Sequence, residues 1–95
     1  TAMSIYLNLR SDIIYSKFKN LKREKQKEIT IAALKEFAKK GYENASTNEI
    51  VKNASISKGS LFNYFNSKKE LYIYLLDYSM EIIDNFYKEI DLKEK

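Results

Sequence analysis

The chain contains no cysteine, no histidine and no proline, and only two glycines among its 95 residues. Each absence removes a class of protein. Without cysteine there is no disulfide framework and no thiolate metal site. Without histidine the commonest metal ligand and the commonest general base are both gone. An enzyme would have to work from carboxylates or lysines alone, and no spacing in the chain suggests such a constellation. Neither a metal nor a cofactor is expected. The scarcity of proline and glycine favours long uninterrupted helices over sheets with many turns, so the expected fold class is all-α. No apolar run approaches the length needed to span a bilayer, and the N-terminus lacks the apolar core of a signal peptide. A cytoplasmic protein with no membrane partner is the expectation. A chain of 95 residues forms one small domain with a modest core, too small for a large enzyme with a buried active site.

The formal net charge is +4, and its placement says more than its total. Residues 1–28 carry seven basic and three acidic side chains, residues 46–69 four and one, and residues 70–95 three and seven. Positive charge collects on the N-terminal arm and on a middle stretch, while the acidic excess lies at the end. An electrostatic footprint for a phosphate backbone has this form. Chance clustering in a lysine-rich chain gives the same counts, so charge alone does not decide.

The stretch from Ser46 to Lys69 organises the rest. Ser46, Ser57 and Ser67 each stand where a helix needs its first N–H groups satisfied, and two of them are followed three residues later by Glu49 and Glu70. That is the spacing of a capping box. Between the caps lie two apolar patterns of helical period, Ile50, Val51 and Ala54, then Leu61 and Phe65, joined by Ser55, Ile56 and Ser57. Two short helices about a tight turn make a helix-turn-helix, whose second helix can lie in a DNA major groove.

Several ordered blocks together resemble the TetR family of transcriptional regulators. They are Gly41-Tyr42 closing a helix, Ser46-Thr47 leading to Glu49-Ile50, the run from Ile56 through Ser57-Lys58-Gly59-Ser60-Leu61-Phe62-Asn63-Tyr64 to Phe65, and Ser67-Lys68-Lys69-Glu70-Leu71. The likeness runs from about Ile29 to Leu75. It implies a three-helix DNA-binding domain followed by a longer fourth helix. Two positions depart from the family's habit: Ser55 stands where glycine is common in the turn, and Phe62 where tyrosine is common. A left-handed Ser55 would cost roughly 1–2 kcal/mol, and Phe62 has no hydroxyl to aim at a phosphate.

Within this frame residues 20–69 form the helix-turn-helix domain, with Asn20 as cap of a helix running to about Lys40. Ile29, Ala33 and Phe37 face its core, Lys22, Arg23, Lys25 and Lys27 make its first turns basic, and Gly41 ends it. Residues 1–19 read as an arm, partly ordered. Ile5, Leu7 and Leu9 alternate as in a strand, Ile5, Leu9 and Ile13 share a helical face, and period alone leaves the choice open. Arg10, Lys17 and Lys19 would let the arm reach phosphates or the minor groove. Residues 70–95 read as a linker helix, apolar around so much of its circumference that more than one face must be covered.

The DNA-facing residues follow from elimination on the second motif helix and from the resemblance elsewhere. With Leu61 and Phe65 turned inward, Lys58, Ser60, Phe62, Asn63 and Tyr64 line the outer side and ends. Lys58 can reach guanine or a phosphate, Asn63 can pair with adenine N6 and N7, and Ser60 can meet a phosphate or a base edge. Phe62 offers apolar contact to a thymine methyl, and Gly59 lets the backbone approach the duplex closely. The resemblance places Thr47 and Asn48 beside phosphates and turns the Tyr64 hydroxyl to the backbone. Lys68 adds its charge to a helix start, a ready phosphate site.

The function implied is a ligand-responsive repressor, binding a palindromic operator as a homodimer. In the family the fourth helix leads to a larger domain that binds a small-molecule effector and forms the dimer, so these residues read as the DNA-binding part of a longer regulator. A helical protein-interaction module, with the apolar fourth helix packed on a partner, is the alternative.

Overall fold

The computed structural model of the chain describes residues 2–93. Among the described residues all regular structure is helical: α1 (Ala2–Ile14), α2 (Ser16–Lys19), α3 (Arg23–Asn44), α4 (Thr47–Ala54), α5 (Lys58–Tyr64) and α6 (Lys68–Lys93). The expected all-α helix-turn-helix with a long helix behind it is the architecture found. The expected 70–95 helix is described through Lys93, and residues 94 and 95 lie outside the described residues.

The core forms where the helical periods put it. Ile29, Ala33 and Phe37 of α3 are buried at four-residue steps, against Ile50, Val51 and Ala54 of α4. Leu61 of α5 and Phe65 just after it close that layer, and Leu71, Tyr74 and Leu75 of α6 cover it. Burying each of these larger side chains contributes about 1.5–3 kcal/mol. Gly41 breaks α3 with φ +75° and ψ 172°, after which one last turn closes by the Ala45 N–H donating to the Gly41 carbonyl at 3.0 Å. A Cβ at Gly41 would meet nothing within 4 Å, so the dihedral and not the space demands glycine there. Tyr42 folds back between Phe37 and Tyr72, with ring centroids 6.2 Å and 5.0 Å away.

The N-terminal segment differs from the arm expected of it. Residues 2–19 are two helices, and Tyr15 and Phe18 sit in the same core as α3 to α6. The ring of Phe18 lies 4.9 Å from Phe65 and 5.0 Å from Tyr74, and Tyr15 stands 5.2 Å from Tyr74. An aromatic quartet of this spacing ties α2 to α5 and α6. The main buried cluster thus takes in Tyr15 and Phe18, which lie ahead of residue 20. In α1 the helical alternative holds, yet Ile5, Leu9 and Ile13 point outward, while Leu7 is buried and Arg10 pairs with the buried Asp77 of α6. The Arg10 Nε lies 3.3 Å from Asp77 Oδ2, an ion pair outside hydrogen-bonding geometry.

Asn20 does not cap α3. It ends α2, its N–H donating to the Ser16 carbonyl at 3.0 Å, and α3 begins at Arg23 after Lys22, with no side-chain cap. Gln26 spans this junction. Its amide donates to the carbonyls of Lys19 at 3.0 Å and Leu21 at 2.7 Å, binding the end of α2 and the turn after it to the first turn of α3.

Candidate nucleic-acid interface

The turn between α4 and α5 is built by a Schellman closure. Past Ala54, Ser55 adopts φ 55° and ψ 45°, its N–H donates to the Lys52 carbonyl at 3.3 Å, and the Ile56 N–H donates to Val51 at 3.1 Å. Ser55 thus takes the left-handed conformation that glycine would adopt without strain. Ile56 packs against the core beside this turn, which sets the direction in which α5 leaves it.

The three expected serine caps are in place. Ser46 accepts the Glu49 N–H at 3.3 Å, Ser57 the Ser60 N–H at 3.0 Å, and Ser67 the Glu70 N–H at 3.1 Å. The reciprocal half of the first capping box is supplied from elsewhere. The Ser46 N–H donates to Glu36 Oε2 of α3 at 2.8 Å, and the Lys40 ammonium stands 3.0 Å from the same oxygen. That backbone donor first, then Lys40, holds the Glu36 carboxyl below the usual carboxylate range. Glu36 thereby fixes the angle at which α4 starts, and with it the place of Thr47 and Asn48.

Leu61 of α5 and Phe65 just after it are buried, and Lys58, Gly59 and Asn63 are exposed. Ser60 is half-buried, its oxygen accepting the Ser57 hydroxyl at 2.9 Å, which leaves its own O–H to donate. Phe62 and Tyr64 are partly exposed, and the Tyr64 ring meets Phe18 edge-on at 6.4 Å. Thr47 is half-buried at the start of α4, with Asn48 exposed beside it. Lys68 has a structural role, since its ammonium donates to the Glu43 carbonyl at 3.3 Å and lies 4.9 Å over the Tyr42 ring.

Two further contacts lie outside what local spacing can show, because both join residues far apart in the chain. Lys25 donates to the Ala54 carbonyl at 3.1 Å, so a cation from α3 closes the C-terminal end of α4. Lys17 of α2 donates to Asn63 Oδ1 at 3.3 Å, beside the outer face of α5. Among the described residues no group of three or more acidic side chains could hold a metal ion, and no helix is long and apolar enough to cross a membrane.

Comparison with known proteins points the same way as this geometry. Residues 29–75, from α3 into α6, match the model of the bacterial regulatory proteins of the tetR family. Over 73 residues the chain is 41% identical to the uncharacterized HTH-type transcriptional regulator YuxN of Bacillus subtilis (strain 168), covering 77% of this chain and 24% of that protein. Over 68 residues it is 32% identical to the HTH-type transcriptional regulator SAUSA300_2515 of Staphylococcus aureus (strain USA300), covering 72% of this chain and 37% of that protein. The counterpart SACOL2593 of strain COL gives the same figures, 32% over 68 residues. The chain thus spans between a quarter and somewhat over a third of the length of these curated relatives. No solved structure matches it significantly. With the helix-turn-helix formed by α4 and α5 inside the matched region, the chain belongs to the TetR family of bacterial regulatory proteins, a family of transcriptional regulators and not of enzymes.

Proposed function

We propose that this chain recognises a specific duplex sequence by laying α5 in the major groove, and that it does so as one half of a homodimeric, ligand-responsive repressor on a palindromic operator. The observation that carries the reading is the partition of α5. Leu61 and, just after the helix, Phe65 are committed to the core, while Lys58, Gly59 and Asn63 are exposed, residue types suited to bases and phosphates.

Thr47 and Asn48 hold phosphates at the start of α4, with the helix N–H groups behind them. Lys58, Ser60, Asn63 and Phe62 face base edges, Gly59 admits the backbone close to the duplex, and Tyr64 approaches the phosphates that flank the groove, as does Lys68 with the ammonium donors that the Glu43 carbonyl leaves over. Affinity comes from two such units engaged at once, since one short helix makes too few contacts. Dimerisation and effector binding belong to a further domain resting on α6, whose Leu76, Met80, Ile83, Phe86 and Tyr87 are exposed and would be covered by it. An effector that tilts α6 shifts the spacing of the two α5 helices and breaks their register with successive grooves. The protein works in the cytoplasm, where its DNA is.

Binding-site selection from randomised duplex DNA tests this, with the chain and its Lys58→Ala, Asn63→Ala double variant in parallel at low and moderate salt. Both side chains are exposed, so the variant keeps the core intact. Enrichment of a short motif or inverted repeat, lost in the variant, is the expected result. Weak salt-sensitive binding without a motif, equal in both proteins and unchanged when the selection is repeated on the chain joined to its dimerisation domain, would reject it.

A further inference from the structure

Asn63 is not a free reader of bases. The Lys17 ammonium lies 3.3 Å from its side chain, and an ammonium has three donors and no acceptor, so the amide atom facing it is the oxygen. The backbone of Lys17 is set in place, because Tyr15 and Phe18 on either side of it are both buried in the core. Around this pair the small depression between α2 and α5 is lined by Ser16, Tyr64, Asn66 and Glu70, and the one carboxylate among these described residues already accepts the Asn66 amide at 3.4 Å. Lys17 therefore has Asn63 as its partner on that side.

The orientation has a consequence for base recognition. An unrestrained asparagine pairs with adenine by accepting from N6 and donating to N7. With its oxygen turned toward α2, Asn63 presents the amide N–H pair outward. Guanine offers two acceptors on its major-groove edge, N7 and O6, and adenine one acceptor and one donor. We propose that Lys17 is a positioning residue for sequence reading: by holding Asn63 Oδ1 it makes Asn63 select guanine where a free asparagine selects adenine. The proposal rests on α5 being the recognition helix, and it adds a residue from outside the helix-turn-helix to the determinants of the operator.

Site selection from randomised duplex DNA, at two salt concentrations, with wild type, Lys17→Met, Lys17→Arg and Asn63→Ala separates the outcomes. Methionine keeps the unbranched stem and removes the donors, arginine keeps donors, and Lys17 is exposed, so each protein should fold. Wild type should require guanine at the one position that Asn63→Ala relaxes. Lys17→Met should move that position toward adenine by about ten-fold in relative preference, leaving the others unchanged, and Lys17→Arg should keep guanine. Adenine in the wild-type motif would overturn the proposal, as would a motif that Asn63→Ala leaves intact. So would uniformly weaker binding by Lys17→Met with an unchanged motif and a salt slope lower by about one, the mark of a simple phosphate contact. A wild type that yields no motif, also when joined to its dimerisation domain, fails the reading of α5 itself, an outcome distinct from all of these.

Discussion

The Glu36 carboxylate of α3 accepts the Ser46 N–H at 2.8 Å, so the entry to the helix-turn-helix is held by a buried charge from the preceding helix. Lys40, 3.0 Å away, completes the site. Because these partners favour the ionised form, the folded-state pKa of Glu36 lies below its unfolded value. A depressed carboxylate contributes stability that is present above the unfolded pKa, about 4.3, and is lost as pH falls through the folded value. Glu36→Gln should therefore lower the melting temperature at pH 7, and the gap from wild type should close as the solution is taken below about pH 4. Thermal unfolding followed by circular dichroism across pH 3–7 checks this. A gap that stays constant across the range would mean that the charge is not what matters.

Lys25 illustrates a basic residue whose role is internal. On sequence it belongs to the basic first turns of α3, and in the structure its ammonium closes the Ala54 carbonyl at 3.1 Å and stands 3.2 Å from Glu28. A cation at a partly buried helix end contributes up to about 1–2 kcal/mol. Lys25→Met should cost about 1 kcal/mol, a fall of roughly 4–8 °C in melting temperature for a domain of this size. At a temperature where the variant is fully folded, its DNA affinity should keep the wild-type salt slope. A slope reduced by about one would instead place Lys25 on a phosphate.

How much of this was legible in the sequence depends on the range of the interaction. The caps at Ser46, Ser57 and Ser67 and the inward faces of α3, α4 and α5 follow from local spacing, and the structure has them where the spacing puts them. Tyr15 and Phe18 were not legible as core. They lie on or beside a four-residue helix too short to show a period, and their burial depends on Phe65 and Tyr74, far along the chain. The period of Ile5, Leu9 and Ile13 left strand and helix open for a related reason: α1 is set by Leu7 and the Arg10–Asp77 pair, which turn that apolar face outward. At the interface, elimination found which residues of α5 remain outside. It could not find that Lys68 would be drawn to Glu43 and Tyr42, or Asn63 to Lys17, since neither partner is near in sequence.

Ser55 holds a left-handed conformation at φ 55°, and a side chain in that region costs roughly 1–2 kcal/mol where glycine is unstrained. Ser55→Gly relieves the strain but gives the unfolded chain more freedom, an opposing effect of about 0.4–1 kcal/mol. The first should win. A melting temperature raised by a few degrees is expected in thermal unfolding, and an unchanged or lower value would show that the turn holds Ser55 without strain.

Gly59 separates the needs of folding from those of binding. Its backbone is helical, and a Cβ there would meet only Ser57 Oγ at 3.9 Å, an ordinary contact. Nothing among the described residues requires glycine at this point, and glycine in a helix costs about 0.5–1 kcal/mol relative to alanine. If the outer face of α5 meets the duplex, the missing methyl is where the backbone comes close. Gly59→Ala should then unfold at higher temperature, by an amount matching about 0.5 kcal/mol or more, and yet bind its selected DNA site less tightly. Melting curves and fluorescence anisotropy on the same preparations measure the two effects side by side. A variant that is more stable and binds as well as wild type would show that this part of α5 does not lie against DNA, whereas gain in one and loss in the other is expected only when glycine serves the partner and not the fold.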